Sequence, residues 1–300
     1  MASAPTSYAG LAADFNRALV ALRCLGIDWT STRFDGYRKA IGEAASWVFP
    51  RPIESREVRD VLHESLIQAR QLIGISEIWN RFPEEVLVSK LRAVVGGHLL
   101  PPTASHAPDH ARNTLLELSM ARYLILSEFE VSITSDQEDV VAVAAGFRFS
   151  VECKRPTNPN SLEKNLRKAK TQLKSRKVAG RPSHGFVVIG IDRLSNVSGA
   201  NAAVQSLAEL TRRVHEGMQR GANEVARVAN HVGLDAYAAI GALVFTAPIW
   251  IEDQGQPWTV QQITTFRLSQ LHSDRVAAAA VQPLLNREFG AEPANLIVTP

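Results

Sequence analysis

Asp139, Glu152 and Lys154 are the residues of this chain whose types and spacing could do chemistry. The last two lie near the end of FRFSVECKRP, residues 147–156. Read as a strand, this stretch divides into a packing face of Phe147, Phe149, Val151 and Cys153 and a polar outer face of Arg148, Ser150, Glu152 and Lys154. The longer segment DVVAVAAGFRFSVECK reads as a hairpin turning near Ala145 and Gly146, which brings Asp139 beside Glu152 and Lys154. Two carboxylates at one sheet edge repel each other and make a poor structural pair. They suit a hard cation such as Mg²⁺, which takes one or two carboxylates together with waters and phosphate oxygens. A lysine beside such an ion can position or help deprotonate an attacking water and can stabilise charge in the transition state. Glu117, on a helix upstream, offers a third carboxylate. An ion-paired strand edge would use the same residues, so the pattern alone leaves both readings open.

The elements that must position these residues follow from periodicity. Residues 8–100 read as helical. YAGLAADFNRALVALRCL repeats apolar residues through Leu11, Phe15, Leu19 and Leu22. A further helix is expected after Ser55, burying Val58, Val61, Leu62, Leu66 and Ala69. FPEEVLVSKLRAVVGG puts Pro83 at a helix start, acidic residues in the first turn and glycines at the end. HLLPPTASHAPDH, rich in proline and small polar residues, reads as a linker, dividing a helical region at 1–105 from a second domain at 106–300. That second domain opens with a helix from DHARNTLLELSMARYLILSEF, then EVSIT as a strand, then the hairpin. SLEKNLRKAKTQLKSRK is an amphipathic helix with the stripe Leu162, Leu166, Ala169 and Leu173. GFVVIGID has the continuous apolar character of a covered central strand. A helix over roughly 200–230 and strands in IGALVFTAPIWI and WTVQQITTFRLS complete a mixed sheet flanked by helices.

The order of Glu117 on a helix, Asp139 on a strand, Glu152-Cys153-Lys154 on a strand, then a helix carrying Gln172, resembles the PD-(D/E)xK phosphodiesterase superfamily, the restriction-endonuclease-like fold. The resemblance covers roughly residues 108–192. It implies an α/β core of a helix, a three-stranded antiparallel meander, a crossover helix and a further strand. It also implies a nuclease, most simply an endonuclease acting on DNA with Mg²⁺ or Mn²⁺. Asp139 and Glu152 would then bind the ion with the backbone carbonyl of Cys153, and Lys154 would orient or activate the water. Glu117 would hold a metal-bound water or a second ion, and Gln172 would steady the metal shell or a phosphate. Where the family pattern has proline before the aspartate this chain has Glu138, so Asp136 and Glu138 remain alternative carboxylates.

The bulk composition fits this setting. Apolar residues make up 45% and charged residues 21% of 300, and no apolar run approaches bilayer length. The N-terminus lacks the pattern of a secretory signal, and Cys24 and Cys153 cannot build a disulfide framework, so a reducing cytoplasm is expected. Net charge is only +3, yet ten Lys or Arg residues fall between Lys154 and Arg181. Arg155 and, off the apolar stripe of the helix, Lys164, Arg167, Lys168, Lys170 and Lys174 are candidate phosphate contacts; a solvated helix face would look the same. The expected partner is nucleic acid, DNA rather than a membrane. The helical region would recognise substrate or a partner protein, and a homodimer would cut both strands most simply. The alternative is a non-catalytic nucleic-acid-binding or protein-interaction module on the same core. His98, His106 and His110 do not suggest zinc, because proline interrupts the helix that would align them. Cys153 reads as a small buried hydrophobe, and Trp29, Trp47, Trp79, Trp250 and Trp258 as core anchors.

Overall fold

The computed structural model describes residues 6–46, 55–100, 109–134, 139–156, 159–175, 177–178, 181–182, 184–190, 207–234, 238–249 and 259–268. In chain order these form β1 (Thr6–Ser7), α1 (Tyr8–Cys24), α2 (Arg33–Ala45), α3 (Arg56–Ser76), a 3₁₀ turn at Trp79–Arg81, α4 (Glu84–Val95) and α5 (His110–Leu126). There follow β2 (Glu130–Ile133), β3 (Val140–Ala144), β4 (Phe147–Lys154), α6 (Pro159–Ser175), the short pair β5 (Lys177–Val178) and β6 (Arg181–Pro182), β7 (His184–Gly190), α7 (Leu207–His231), β8 (Ala238–Ile249) and β9 (Thr259–Leu268). The architecture is mixed α/β, helical through its N-terminal third.

Local sequence explains the helix boundaries. Ser7 caps α1 by accepting from the Gly10 N–H, and Leu11, Phe15, Leu19 and Leu22 are all buried on one face. Ser55 caps α3 through the Val58 N–H. Val58 itself is exposed, contrary to the expected stripe, because it lies in the first turn, before the helix enters the packing between α1, α2 and α5. Leu62, Leu66 and Ala69 are buried. Pro83 occupies the N-cap position of α4 without a side-chain hydrogen bond, with Glu84 and Glu85 in the first turn and Gly96 at the end. Asp109 caps α5 by accepting from the Arg112 N–H at 3.1 Å.

The larger sheet has the order β1-β9-β8-β7-β4-β3-β2. At one end of it β2, β3 and β4 form an antiparallel meander with β2 as the edge, and β7 lies parallel to β4 after the crossover through α6. The two faces of β4 pack against different layers. Phe149, Val151 and Cys153 join Val140, Ala142 and Val188 in one buried cluster with Leu115 and Leu118 of α5. The opposite face carries Ser150 and Glu152, paired with Gly185 and Val187 of β7, and lies beneath α6. Gly185 permits that approach: a methyl added there would sit 2.8 Å from the Leu173 methyls. The polar side of β4 is therefore covered rather than outward, since β7 and α6 enclose a strand whose alternation suggested an open face.

Buried arginines join the helices. All five guanidinium N–H groups of Arg112 are engaged, by Glu64, Asp109, the Tyr37 hydroxyl and the carbonyls of His98 and Leu99. Arg33 donates twice to the Val94 carbonyl near the end of α4. The buried cluster runs from Tyr8 to Val188, across the expected boundary near residue 105, which itself lies outside the described residues. No helix among the described residues is long and apolar enough to cross a membrane.

Candidate functional site

The turn of the β3–β4 hairpin sets the site's register. Ala145 and Gly146 both take positive φ, 51° and 78°, the requirement of a two-residue turn whose twist matches its strands. Val140 then pairs with Val151, so Asp139, one residue earlier, falls opposite Glu152. The Cys153 N–H donates to Asp139 Oδ2 at 2.7 Å, so a side chain prolongs the ladder just ahead of the start of β3. The Lys154 ammonium lies 2.9 Å from Glu152 Oε2 and 3.3 Å from Asp139 Oδ2. Both carboxylates are thereby gathered around one ammonium. Glu152 is fully buried, while Asp139 is the corner of the cluster most open to solvent.

Glu117 approaches from α5, and its Oε2 accepts from Lys90 Nζ of α4 at 2.7 Å. Both side chains are nearly buried. Burial, and after it the Asp139 charge, push the Glu117 carboxyl above the usual range, against the pull of Lys90. For Lys154 burial acts to lower the pKa, but Asp139 and Glu152 outweigh it and the ammonium is held above the ordinary lysine value. The Cys153 thiol is pushed well up, chiefly by burial and then by Asp139 and Glu117, as befits a small buried side chain.

The fold thus brings Asp139, Glu152, Lys154 and the Cys153 amide together, with Glu117 alongside. Gln172 lies on α6, whose next residue Leu173 packs on Gly185 of β7, the partner of Ser150. Gln172 Oε1 is buried with no hydrogen-bond partner among the described residues. Asp136 and Glu138 lie outside the described residues.

The candidate phosphate contacts separate by exposure. Lys164, Lys168 and Lys174 are exposed on α6, and Arg167 is exposed while paired with Glu163. Arg155 is buried, as is Pro156 after it, so it is not a surface contact. Lys170 directs its ammonium to the Val232 carbonyl at the end of α7, tying the two helices, and its part is structural. Trp29 is buried beneath Arg23, as expected of a core anchor; Trp79 packs against the core, and Trp47, Trp250, Trp258 and His106 lie outside the described residues.

Lys90 is the member that sequence reasoning missed. It is 27 residues from Glu117, on the flank of an ordinary apolar stripe, and nothing local marks it. Arg112 and Arg33 were missed too, although each falls on the buried side of its helix, where an arginine needs an explanation.

The donor set consists of carboxylates without thiolate or imidazole, which suits a hard cation of the Mg²⁺ class. Among the described residues no group of three or more His, Cys, Asp or Glu side chains is already arranged to hold a metal ion, and the Lys154 ammonium stands between Asp139 and Glu152. No family model matches this chain, and no curated protein or solved structure does.

Proposed function

We propose that the Asp139–Glu152–Lys154 cluster is the active site of a metal-dependent phosphodiesterase of the restriction-endonuclease-like class, with DNA as its substrate. One observation supports this above others. Two carboxylates from adjacent strands converge on a single lysine at the end of the strand that precedes the α6 crossover. The element order around them, from α5 through the meander and α6 to β7, is the order that the sequence resemblance implies.

Asp139 and Glu152 are the residues that would hold Mg²⁺, with the Cys153 carbonyl and, through water, Glu117. When bound, the ion supplies charge neutralisation at the phosphate and lowers the pKa of water. The chain's own residues do the rest. Lys154, kept as an ammonium by its two carboxylates, is a donor rather than a base: it orients the attacking water and offsets charge developing on the phosphate oxygens. Lys164, Lys168 and Lys174 contact backbone phosphates without reading sequence. In-line attack breaks the phosphodiester and leaves a phosphate monoester and a hydroxyl.

Purified protein incubated with supercoiled plasmid in Mg²⁺ or Mn²⁺ is expected to convert it to nicked and linear forms, and EDTA to stop the reaction. Glu152→Gln and Asp139→Asn keep the shape of the site, and each is expected to lower the rate about 100-fold or more. Activity that survives both substitutions overturns the assignment. A second reading, a non-catalytic module on the same core, draws on the complete burial of Glu152 and its existing neutralisation by Lys154. Salt-sensitive DNA binding with no metal-dependent thermal stabilisation would favour it.

A further inference from the structure

We infer that Lys90 belongs to the candidate site as a built-in counter-ion, so that the helical region supplies part of the cation-binding machinery instead of serving only as a recognition module. The inference rests on the metal-site reading above. Asp139 and Glu152 converge at the end of β4 with Glu117 close enough to feel the Asp139 charge, and among the described residues two ammonium groups face these carboxylates. Lys154 serves Asp139 and Glu152, and Lys90 serves Glu117 through one 2.7 Å contact. Lys90 is the one that comes from α4, outside the meander and crossover.

Its helix is braced at the C-terminal end. Near the C-terminus of α4, the Val94 carbonyl accepts two bonds from buried Arg33, which ties α4 to α2. Arg112 ties the start of α5 to α2, to α3 and to the chain just beyond α4. The ammonium is therefore carried by braced elements, not by a flexible arm. Both members of the Lys90–Glu117 pair are largely withdrawn from solvent, so water screens their interaction poorly. A cation arriving near Glu117 must share that carboxylate with a fixed positive charge. In this arrangement Lys90 lowers the uncompensated acidic charge of the apo cluster by one unit and sets an upper limit on how tightly the site holds a divalent ion.

The test is calorimetric titration of the full-length protein with Mn²⁺ alone, in mildly alkaline buffer, for wild type, Lys90→Met, Lys90→Arg and the pair Glu117→Gln and Glu117→Gln/Lys90→Met. Lys90→Met is expected to tighten Mn²⁺ binding roughly tenfold, because a nearby positive charge is removed. Lys90→Arg is expected to bind as wild type does. In the Glu117→Gln background the Lys90→Met effect is expected to shrink, since the shared carboxylate is gone. If Lys90→Met does not fold, Lys90→Gln makes the same charge change with a polar head retained. Wild-type binding with unchanged or weaker affinity in the folded charge-removing variant overturns the counter-ion role alone. Absence of Mn²⁺ binding by wild type overturns both this role and the metal-site reading.

Discussion

Lys154 has two jobs that a single substitution can separate, since its ammonium both balances two carboxylates and, in the proposed chemistry, faces the phosphate. Glu152 has no solvent exposure, so removing Lys154 takes the opposite charge away from a buried carboxylate. Lys154→Met is expected to cost about 3–5 kcal/mol in urea denaturation at neutral pH. The pH window follows from the raised pKa of Lys154. Its contribution is complete below the unfolded lysine value of about 10.4 and is lost only as pH rises through the higher folded value. The difference between wild type and variant is therefore expected to be the same in neutral and mildly alkaline buffer. That Asp139, Glu152 and Lys154 would meet was legible in the sequence, because a two-residue alternation and a tight turn leave one register. The burial of Glu152 was not legible. Alternating polarity marks which residues share a face, but whether water or α6 covers that face depends on where the crossover helix lands.

At the scale of elements, the β3–β4 hairpin carries the site, and its turn is a point of control. Ala145 takes a left-handed conformation that alanine disfavours. Ala145→Asn, suited to that conformation, is expected to stabilise the protein by about 1 kcal/mol by thermal or urea melting, with no change in the chemistry of the site. The hairpin, α1, α4, α5 and α6 could be read from the sequence because caps, periodicity and turn residues agreed. The helix α2 was not singled out. Its sequence, RFDGYRKAIGEAA, has two glycines inside it, and one of them, Gly36, makes room for Leu99: a methyl there would lie 2.6 Å from the Leu99 Cδ1. Tertiary contact holds that helix where propensity alone would not. The assignment of Lys170 to a phosphate fails for a related reason. A basic residue on the polar flank of a helix is equally suited to a neighbouring helix's terminal carbonyl, and only packing decides between them.

For the whole molecule, the helical third and the sheet share one buried cluster, and Arg112 is its polar centre. Substituting Arg112 by Met would leave Glu64, Asp109 and the Tyr37 hydroxyl without their shared donor. A loss of about 3–5 kcal/mol is expected. Because the cluster is continuous, both wild type and variant are expected to melt in one calorimetric transition; two separate transitions would show that the helical region folds independently. The proline-rich stretch near residue 105, expected to divide the chain, lies outside the described residues, and the buried cluster includes residues from both sides of it. The contacts that bridge it, Arg112 with Glu64 and Lys90 with Glu117, join residues 48 and 27 positions apart and leave no local signal. The central claim is that the cluster at the end of β4 is a divalent-cation site, and a crystal structure grown in Mn²⁺ with anomalous data tests it most directly. An anomalous peak about 2 Å from carboxylate oxygens of both Asp139 and Glu152, with the Lys154 ammonium displaced from between them, is the predicted result. Ordered side chains at saturating Mn²⁺ with no peak beside those two carboxylates would contradict it.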